Sequence, residues 1–565
     1  MPIAYATGVC SLCSGIIANG SRFEWGEQRG SRVCEACLNA IEDAAIDDEE
    51  GRAPMSVLDE PEPQWSDYQL GVYDFGLHSD ENGMIIAVAG SGKTTVAKEL
   101  CIRIGKARPG DQIAYLVFNK RNADEAQAKL PRNVKASTFH SACFSAINVA
   151  LHRPKVEPSK MSALMRDLFD RRHFSREEAT RYGGPLLKLV GLGKNNGIGV
   201  YHSRSWKSII DHYGIDVDPE EGLTYEEQEL TLATMADELL KDSNEQTTII
   251  DYDDMLYLTV KLDLPLPRYD MVIVDEAQDT NTIQRAILKK MIKPNGGRLI
   301  AVGDPRQGIY GFRGADADAM EIIEKEFRCK ELPLSINYRC ATSIVAHAKR
   351  YCPQLEPWDQ SPEGSVESLN DLDLETVLPT DAFLSRTNAP LLPLAMALLR
   401  RGKGCKVLGK DIGQGLVELI KKLEKRYKVR DLDGLESALR SWAVEETKKL
   451  LKRDQEDRVH LIEDKMMSIQ TLVDNLEPGD ASIEGLIRVI GRIFSDDAGG
   501  LITLATVHKA KGMEWPRVFI LNPSLMPLPY AKLPWQLQQE YNILYVAVTR
   551  AQVDLRYVEL KRIEL

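Results

Sequence analysis

Short unbroken apolar runs, each closed by a small or charged residue, set the rhythm of this chain. Met84 to Val88, Ile113 to Phe118 and Met271 to Val274 are of this kind, as is Arg298 to Gly303, and a further strand is expected just before Ser137. Apolar runs without polar alternation mark strands covered on both faces, as in a parallel sheet between helices. Elsewhere the period lengthens. Residues 151–248 carry helical patterns with acidic and basic faces (Ser159 to Arg171, Tyr225 to Lys241), closed by Tyr252-Asp253-Asp254-Met255-Leu256. Residues 416–497 repeat the pattern with denser charge (Lys421 to Lys428, Glu445 to Lys452). The expected class is α/β, with parallel sheets interrupted by helical insertions.

At 565 residues the chain should hold several domains, and 43% hydrophobic content is ordinary for globular cores. The net charge of −13 changes the picture more, because the average surface repels phosphate and any nucleic-acid contact must use a local groove. Met1 to Ala6 lacks a basic-then-apolar profile, and no apolar run is long enough to span a bilayer. Ten cysteines without a secretory leader fit a reducing compartment. The expectation is a soluble protein of a reducing, cytoplasmic compartment.

The apolar run from Met84 breaks into Ala87-Val88-Ala89-Gly90-Ser91-Gly92-Lys93-Thr94-Thr95. Glycines let backbone N–H groups approach an anion, and the following helix adds the positive end of its dipole. Lys93 would reach the β- and γ-phosphates and the Thr94 hydroxyl would ligate Mg2+. Ala87 stands where the pattern G-x-x-x-x-G-K-[ST] has its first glycine, which weakens the motif slightly. The run from Met271 delivers adjacent carboxylates, Asp275 to hold Mg2+ and Glu276 to polarise an attacking water. After Gly303, Gln307 is placed to sense a γ-phosphate, and Tyr310 and Phe312 offer flat faces to bases. Gln69 could read an adenine edge. Phe118, Phe139 and His140 sit where open sheets bind ligands, although both rings read equally well as core.

Cys10-x-x-Cys13 and Cys34-x-x-Cys37 form two knuckles suited to structural Zn2+, with a helical pattern after Cys37. An acidic, proline-bearing linker follows. Arg22, Arg29 and Arg32 would allow this module to meet DNA, and a folding staple is the equal alternative.

The order of these segments resembles the UvrD/Rep-like superfamily 1A DNA helicases. The resemblance continues through Asn337-Tyr338-Arg339, Leu384 to Ala389, Val407 to Lys410, Thr506 to Trp515 and Glu540 to Ala551, and covers nearly everything from Trp65 to Ala551. It implies two RecA-like domains with helical insertions and ATP between them. Domain 1A would take 65–150 and 249–330, with insertion 1B at 151–248. Domain 2A would take 331–415 and 498–565, with a reduced insertion 2B at 416–497, after a zinc module at 1–41 and a linker at 42–64. The resemblance further implies that Gln69 and Tyr338 hold adenine. Gln307, Arg339 and Arg550 would meet the γ-phosphate, with Glu540 and Thr549 positioning Arg550. Asn119, Phe139, His140, Tyr310, Phe312, Arg386, Asn388, His508 and Trp515 would line a single-strand track.

The chain departs from the family at Pro305-Arg306, Phe312, Trp515 and Asn542. The short second insertion puts strand separation in more doubt than ATP hydrolysis. The implied activity is a 3′→5′ ATP-dependent helicase of replication, repair or recombination, with single-stranded and tailed duplex DNA and replication or repair proteins as partners. Two alternatives stay open: a translocase that strips proteins but unwinds weakly, and a zinc-tethered adaptor whose ATP site only switches conformation.

Overall fold

The computed structural model describes residues 64–565 except 216, 218–222, 312–313, 315–317, 453–455, 496–500, 530 and 561–565. Of residues 1–63 it describes only the backbone of four short strands. These pair antiparallel, Gly8–Val9 with Ile16–Ile17 and Phe23–Trp25 with Arg32–Cys34. Cys10, Cys13 and Cys37 lie outside the described residues, and Cys34 ends the last of these strands.

Two parallel sheets organise the unit from Ser66 to Leu565. The first has strands β1 (Gly83–Ala87), β2 (Ile113–Leu116), β3 (Val134–Ser137), β4 (Met271–Val274), β5 (Arg298–Gly303) and β6 (Lys330–Leu334). Their order is β6-β1-β5-β4-β2-β3. Every residue of β2, β4 and β5 is buried, as unbroken apolar runs require of strands covered on both faces. β2 is shorter than its apolar run. The chain leaves the sheet after Leu116, and Phe118 emerges 57% exposed, whereas Phe139 is 7% exposed and part of the core. The core alternative therefore holds for Phe139 and fails for Phe118.

The second sheet has β7 (Ser365–Leu369), β8 (Asp381–Ser385), β9 (Cys405–Leu408), β10 (Phe494–Ser495), β11 (Ile502–Thr506), β12 (Trp515–Leu521) and β13 (Ala551–Val558). They run in the order β7-β13-β12-β8-β11-β9-β10. The two sheets with their helices are RecA-like α/β domains, called here the first and the far lobe. Each lobe shares its core with a helical insertion. Helices Lys160–Arg171, Arg176–Asn196, Trp206–Tyr213 and Tyr225–Glu245 extend the first, and Lys410–Tyr427, Leu432–Lys452, Glu456–Asp474 and Ile483–Ile493 the second. A third core joins Val88 and Ala89 of the first lobe to the far sheet. No described helix is long and apolar enough to cross a membrane.

The first insertion is pinned by buried charge. Asp251 caps helix Tyr252–Lys261, and the capping-box partner Asp254 is fully buried. Lys160 donates to Asp254 Oδ2 at 2.7 Å, and Lys194 lies 2.8 Å from Asp254 Oδ1 and 2.9 Å from Asp251 Oδ2. Burial alone would raise the Asp254 pKa, but Lys194 and Lys160 overcome it and hold the carboxyl below its ordinary range. Asp254→Asn leaves two buried ammonium groups undercompensated, and a loss of about 3–5 kcal/mol is expected in urea or thermal unfolding at pH 7. Because the folded-state pKa is depressed, the contribution is complete above the unfolded carboxylate pKa. It should fade as pH falls through the folded value, so the gap between wild type and variant should narrow in acid.

Candidate active site

β1 delivers the chain to the N-terminus of helix Lys93–Ala107 through a loop with Gly90 at φ +69° and Gly92 at φ +76°. Both need the left-handed region, and a Cβ on Gly90 would lie 2.7 Å from Asn337 Nδ2 and 2.8 Å from Arg339 Cβ. The loop is therefore pressed against the segment that carries Tyr338 and Arg339. Tyr338 N–H donates to the Gly90 carbonyl at 2.9 Å, and Ser91 Oγ to the Val88 carbonyl at 2.8 Å. Ala87 is the buried last residue of β1, so alanine is tolerated where the pattern has glycine because no strained turn occurs there.

Thr94 Oγ1 and Tyr115 OH both donate to Asp275 Oδ2 at 3.0 Å. Burial, then the neighbouring Glu276 charge, pushes the Asp275 pKa up to about 6. A hydroxyl and a carboxylate meeting in a buried pocket form an all-oxygen donor pair of the kind Mg2+ prefers. Glu276 sits in left-handed backbone at φ +55°, which turns its side chain out of the strand direction, and Gln278 donates to its carboxylate. Burial works against ionising Glu276, but Lys93 and Lys511 outweigh it and keep its pKa low. Lys93 Nζ lies 3.9 Å from Asp304 Oδ2, and Gln307 Nε2 donates to the same oxygen at 2.7 Å.

These groups face a cleft of about 380 Å³ whose opposite wall is the far lobe. Gly90 to Thr95, Glu276 and Gln307 line one side, and Arg339, Lys511, Glu514 and Arg550 line the other, with Tyr338 at its edge. The Arg339 guanidinium pairs with the Glu514 carboxylate and donates to the Thr549 carbonyl at 3.2 Å. Arg550 is 1% exposed and is held by neutral acceptors, the carbonyls of Val546 and Met513 at 2.9 Å and Thr549 Oγ1 at 3.2 Å. Burial, with Arg339 nearby, pulls its pKa down to about 9, which leaves it cationic at neutral pH. Glu540 does not line this cleft. Its carboxylate takes Arg386 at 2.7 Å and the Leu528 N–H at 3.1 Å, so Thr549 alone of the two expected positioning residues touches Arg550.

Lys511 was not singled out by the sequence reading. It crosses from the far lobe to Asp279 Oδ2 at 2.6 Å and the Gln307 carbonyl at 2.9 Å, with Glu276 Oε2 at 3.9 Å. Its one sequence signal was a place just past β11, where the other ligand-facing residues also follow strand ends. Gln69 and Tyr338 are neighbours, the Tyr338 hydroxyl donating to Gln69 Oε1 at 3.4 Å. Gln69 also caps its own helix by accepting Ser66 N–H at 3.0 Å, and Trp358 packs 5.8 Å from the Tyr338 ring.

The expected single-strand residues are dispersed in their roles. Phe118 stacks on Tyr310 with centroids 6.1 Å apart, and Lys511 lies over the Tyr310 ring at 4.8 Å. Asn119 caps the helix Lys120–Gln127, and half-buried His140 has its pKa lowered by burial. Phe139 is core, as described above, and Phe312 lies outside the described residues. Arg386 is neutralised by Glu540, and Asn388 donates from its amide at 3.1 Å to Asp464 on the second insertion. The Tyr310 hydroxyl reaches the His508 carbonyl at 3.5 Å. Trp515 is half-buried at the start of β12, its N–H donating to the Arg550 carbonyl at 3.0 Å.

The UvrD/REP helicase N-terminal domain model matches residues 76–328, and the UvrD-like helicase C-terminal domain model matches 397–560. F-box DNA helicase protein 1 of Schizosaccharomyces pombe is 25% identical over 551 residues, covering 88% of this chain and 58% of that protein. ATP-dependent DNA helicase UvrD1 of Mycobacterium tuberculosis is 28% identical over 302 residues, 48% of this chain and 37% of that protein. F-box DNA helicase 1 of Gallus gallus is 26% identical over 517 residues, 84% of this chain and 47% of that protein. The chain thus spans about half the length of the curated relatives it matches. With the N-terminal and C-terminal domains of one helicase family placed on the lobes that frame the cleft, the chain belongs to the UvrD-like helicases.

Proposed function

We propose that this chain is an ATP-dependent DNA helicase that moves 3′→5′ along single-stranded DNA and opens duplex ahead of it. The observation that carries the reading is one cleft in which Lys93 and Glu276 of the first lobe face Arg339 and Arg550 of the far lobe. Lys93 and the loop amides bind the β- and γ-phosphates. Thr94 and Asp275 would hold Mg2+, which would supply neutralising charge at the phosphates. Glu276 accepts a proton from water as the water oxygen attacks the γ-phosphorus and ADP departs. Gln307 orients that end of the substrate, and the two guanidinium groups neutralise charge that builds only in the transition state. Tyr338 stacks on the adenine, whose edge is read by the Gln69 amide.

The coupling to DNA runs through Lys511. Its ammonium lies over Tyr310 and beside Asp279 and Glu276, so a base that unstacks Phe118 from Tyr310 alters the field at the water-activating carboxylate. Phe118 joins Asn119, His140, Tyr310, Phe312, Arg386, Asn388, His508 and Trp515 as a strand contact. Phe139 belongs to the core, and Glu540 acts through Arg386 instead of at the nucleotide. The domain layout is 1A, 1B, 2A and 2B with a four-cysteine zinc module in front, and β6, paired with β1, carries 1A through Leu334. Replication, repair or recombination is the setting.

Steady-state ATPase assays with and without single-stranded DNA test the core of this reading. Strong DNA stimulation is expected, and Glu276→Gln should lower the stimulated kcat by about 10²–10⁴-fold with nucleotide binding retained. Turnover indifferent to DNA would contradict it. On tailed duplexes, unwinding should require a 3′ overhang, and a preference for 5′ tails would reverse the assigned polarity. Metal analysis of the purified chain should find one zinc per molecule, lost in a Cys10→Ser/Cys34→Ser variant; equal zinc in both would rule out the four-cysteine site.

A further inference from the structure

Helix Pro534–Val548 carries a row of contacts to the first lobe on one face. Trp535 Nε1 donates to the His212 carbonyl at 3.1 Å, Asn542 Nδ2 to the Gly308 carbonyl at 2.9 Å, and the Tyr545 hydroxyl accepts the Ala89 N–H at 2.8 Å. These positions recur at helical spacing, so one rigid element runs from the helical insertion to the phosphate loop.

The last of these contacts stands apart. Tyr545 and Ala89 are both fully buried, so no water can replace the bond between them. The Ala89 carbonyl is also taken, by Asn337 Nδ2 at 2.7 Å, and Asn337 Oδ1 in turn accepts the Arg339 N–H at 3.0 Å. On the other side of the ring, the Tyr545 carbonyl accepts Thr549 Oγ1 at 2.8 Å, and Thr549 Oγ1 accepts Arg550 at 3.2 Å. An unbroken line of hydrogen bonds and helix backbone therefore joins a phosphate-loop amide to the buried guanidinium. The phenol's other polar neighbours are the Cys352 thiol and, farther off, the Asp304 carboxylate.

We propose that Tyr545 is a positioning residue, whose hydroxyl fixes the separation between the phosphate loop and Arg550. The proposal rests on the cleft being an ATP-hydrolysing site. A residue that merely shaped the loop would act on nucleotide affinity. One that sets the register of loop and arginine acts on the chemical step, because Arg550 is needed only as charge develops.

The full-length chain carrying Tyr545→Phe keeps the ring and loses the acceptor, stranding the Ala89 N–H. With saturating single-stranded DNA, kcat for ATP should fall about tenfold, the effect of one lost buried hydrogen bond, while the Kd of a fluorescent non-hydrolysable ATP analogue stays within about twofold. Thr549→Val should lower kcat in the same direction. The double variant should be no slower than the worse single one, since both cut one line. A weakened Kd with intact kcat overturns the proposal, as do unchanged constants or losses that multiply in the double variant. If Tyr545→Phe does not fold, Thr549→Val decides alone, and wild-type kcat there overturns it. Lys93→Ala separates the two levels. Hydrolysis surviving that change defeats the reading of the cleft, whereas hydrolysis lost there but normal in Tyr545→Phe defeats only the role of Tyr545.

Discussion

A buried guanidinium whose hydrogen bonds all go to neutral acceptors is the constraint from which the rest of this structure follows. Arg550 is covered by protein, bonded only to carbonyls and a hydroxyl, and crowded by Arg339. Leaving a charge so placed is costly unless something anionic completes the site. The opposing wall offers a loop of backbone amides and Lys93, which repel a cation and attract phosphate. A polyphosphate bridging the walls satisfies both at once. Such a bridge would add to the contacts the lobes already share through the core around Val88 and Ala89.

Lys511 and Tyr545 supply polar contacts across the seam between the lobes. Lys511 sends an ammonium across to Asp279 and the Gln307 carbonyl, and burial, which would lower its pKa, loses to Asp279 and Glu276. Tyr545 reaches the phosphate loop from a helix that ends next to Arg550. Both residues touch the nucleotide machinery from the far lobe, and Lys511 also touches the ring of Tyr310. The cleft and the ring of Tyr310 are thereby joined through a few short contacts. The carboxylates Glu540 and Asp464, which hold Arg386 and Asn388, occupy donors that a strand phosphate would otherwise engage.

What could be read from the sequence was whatever is local. The phosphate loop was legible because Gly90, Gly92, Lys93 and Thr94 act within one turn, and the acid pair because it ends an apolar strand. Arg339 and Arg550 came only through the family resemblance, since nothing near either residue states what it will face. Phe118 and Phe139 have the same local setting. Which one becomes core depends on where β2 ends and on the helix that Phe139 begins. Glu540 pairs with Arg386, on another element more than a hundred residues away, and no pattern near either residue announces that partner. Lys511 went unnoticed for the same reason, its partners being Asp279 and Gln307 on the other lobe.

In the proposed mechanism the far-lobe arginines act in the chemical step and not in holding nucleotide. Single-turnover hydrolysis with saturating single-stranded DNA, measured beside the affinity for a non-hydrolysable ATP analogue, tests this in Arg339→Ala and Arg550→Ala. Hydrolysis slowed by about 10³-fold or more is expected in each, with affinity changed by less than about tenfold. Hydrolysis within tenfold of wild type in both variants, or a loss confined to affinity, would contradict it.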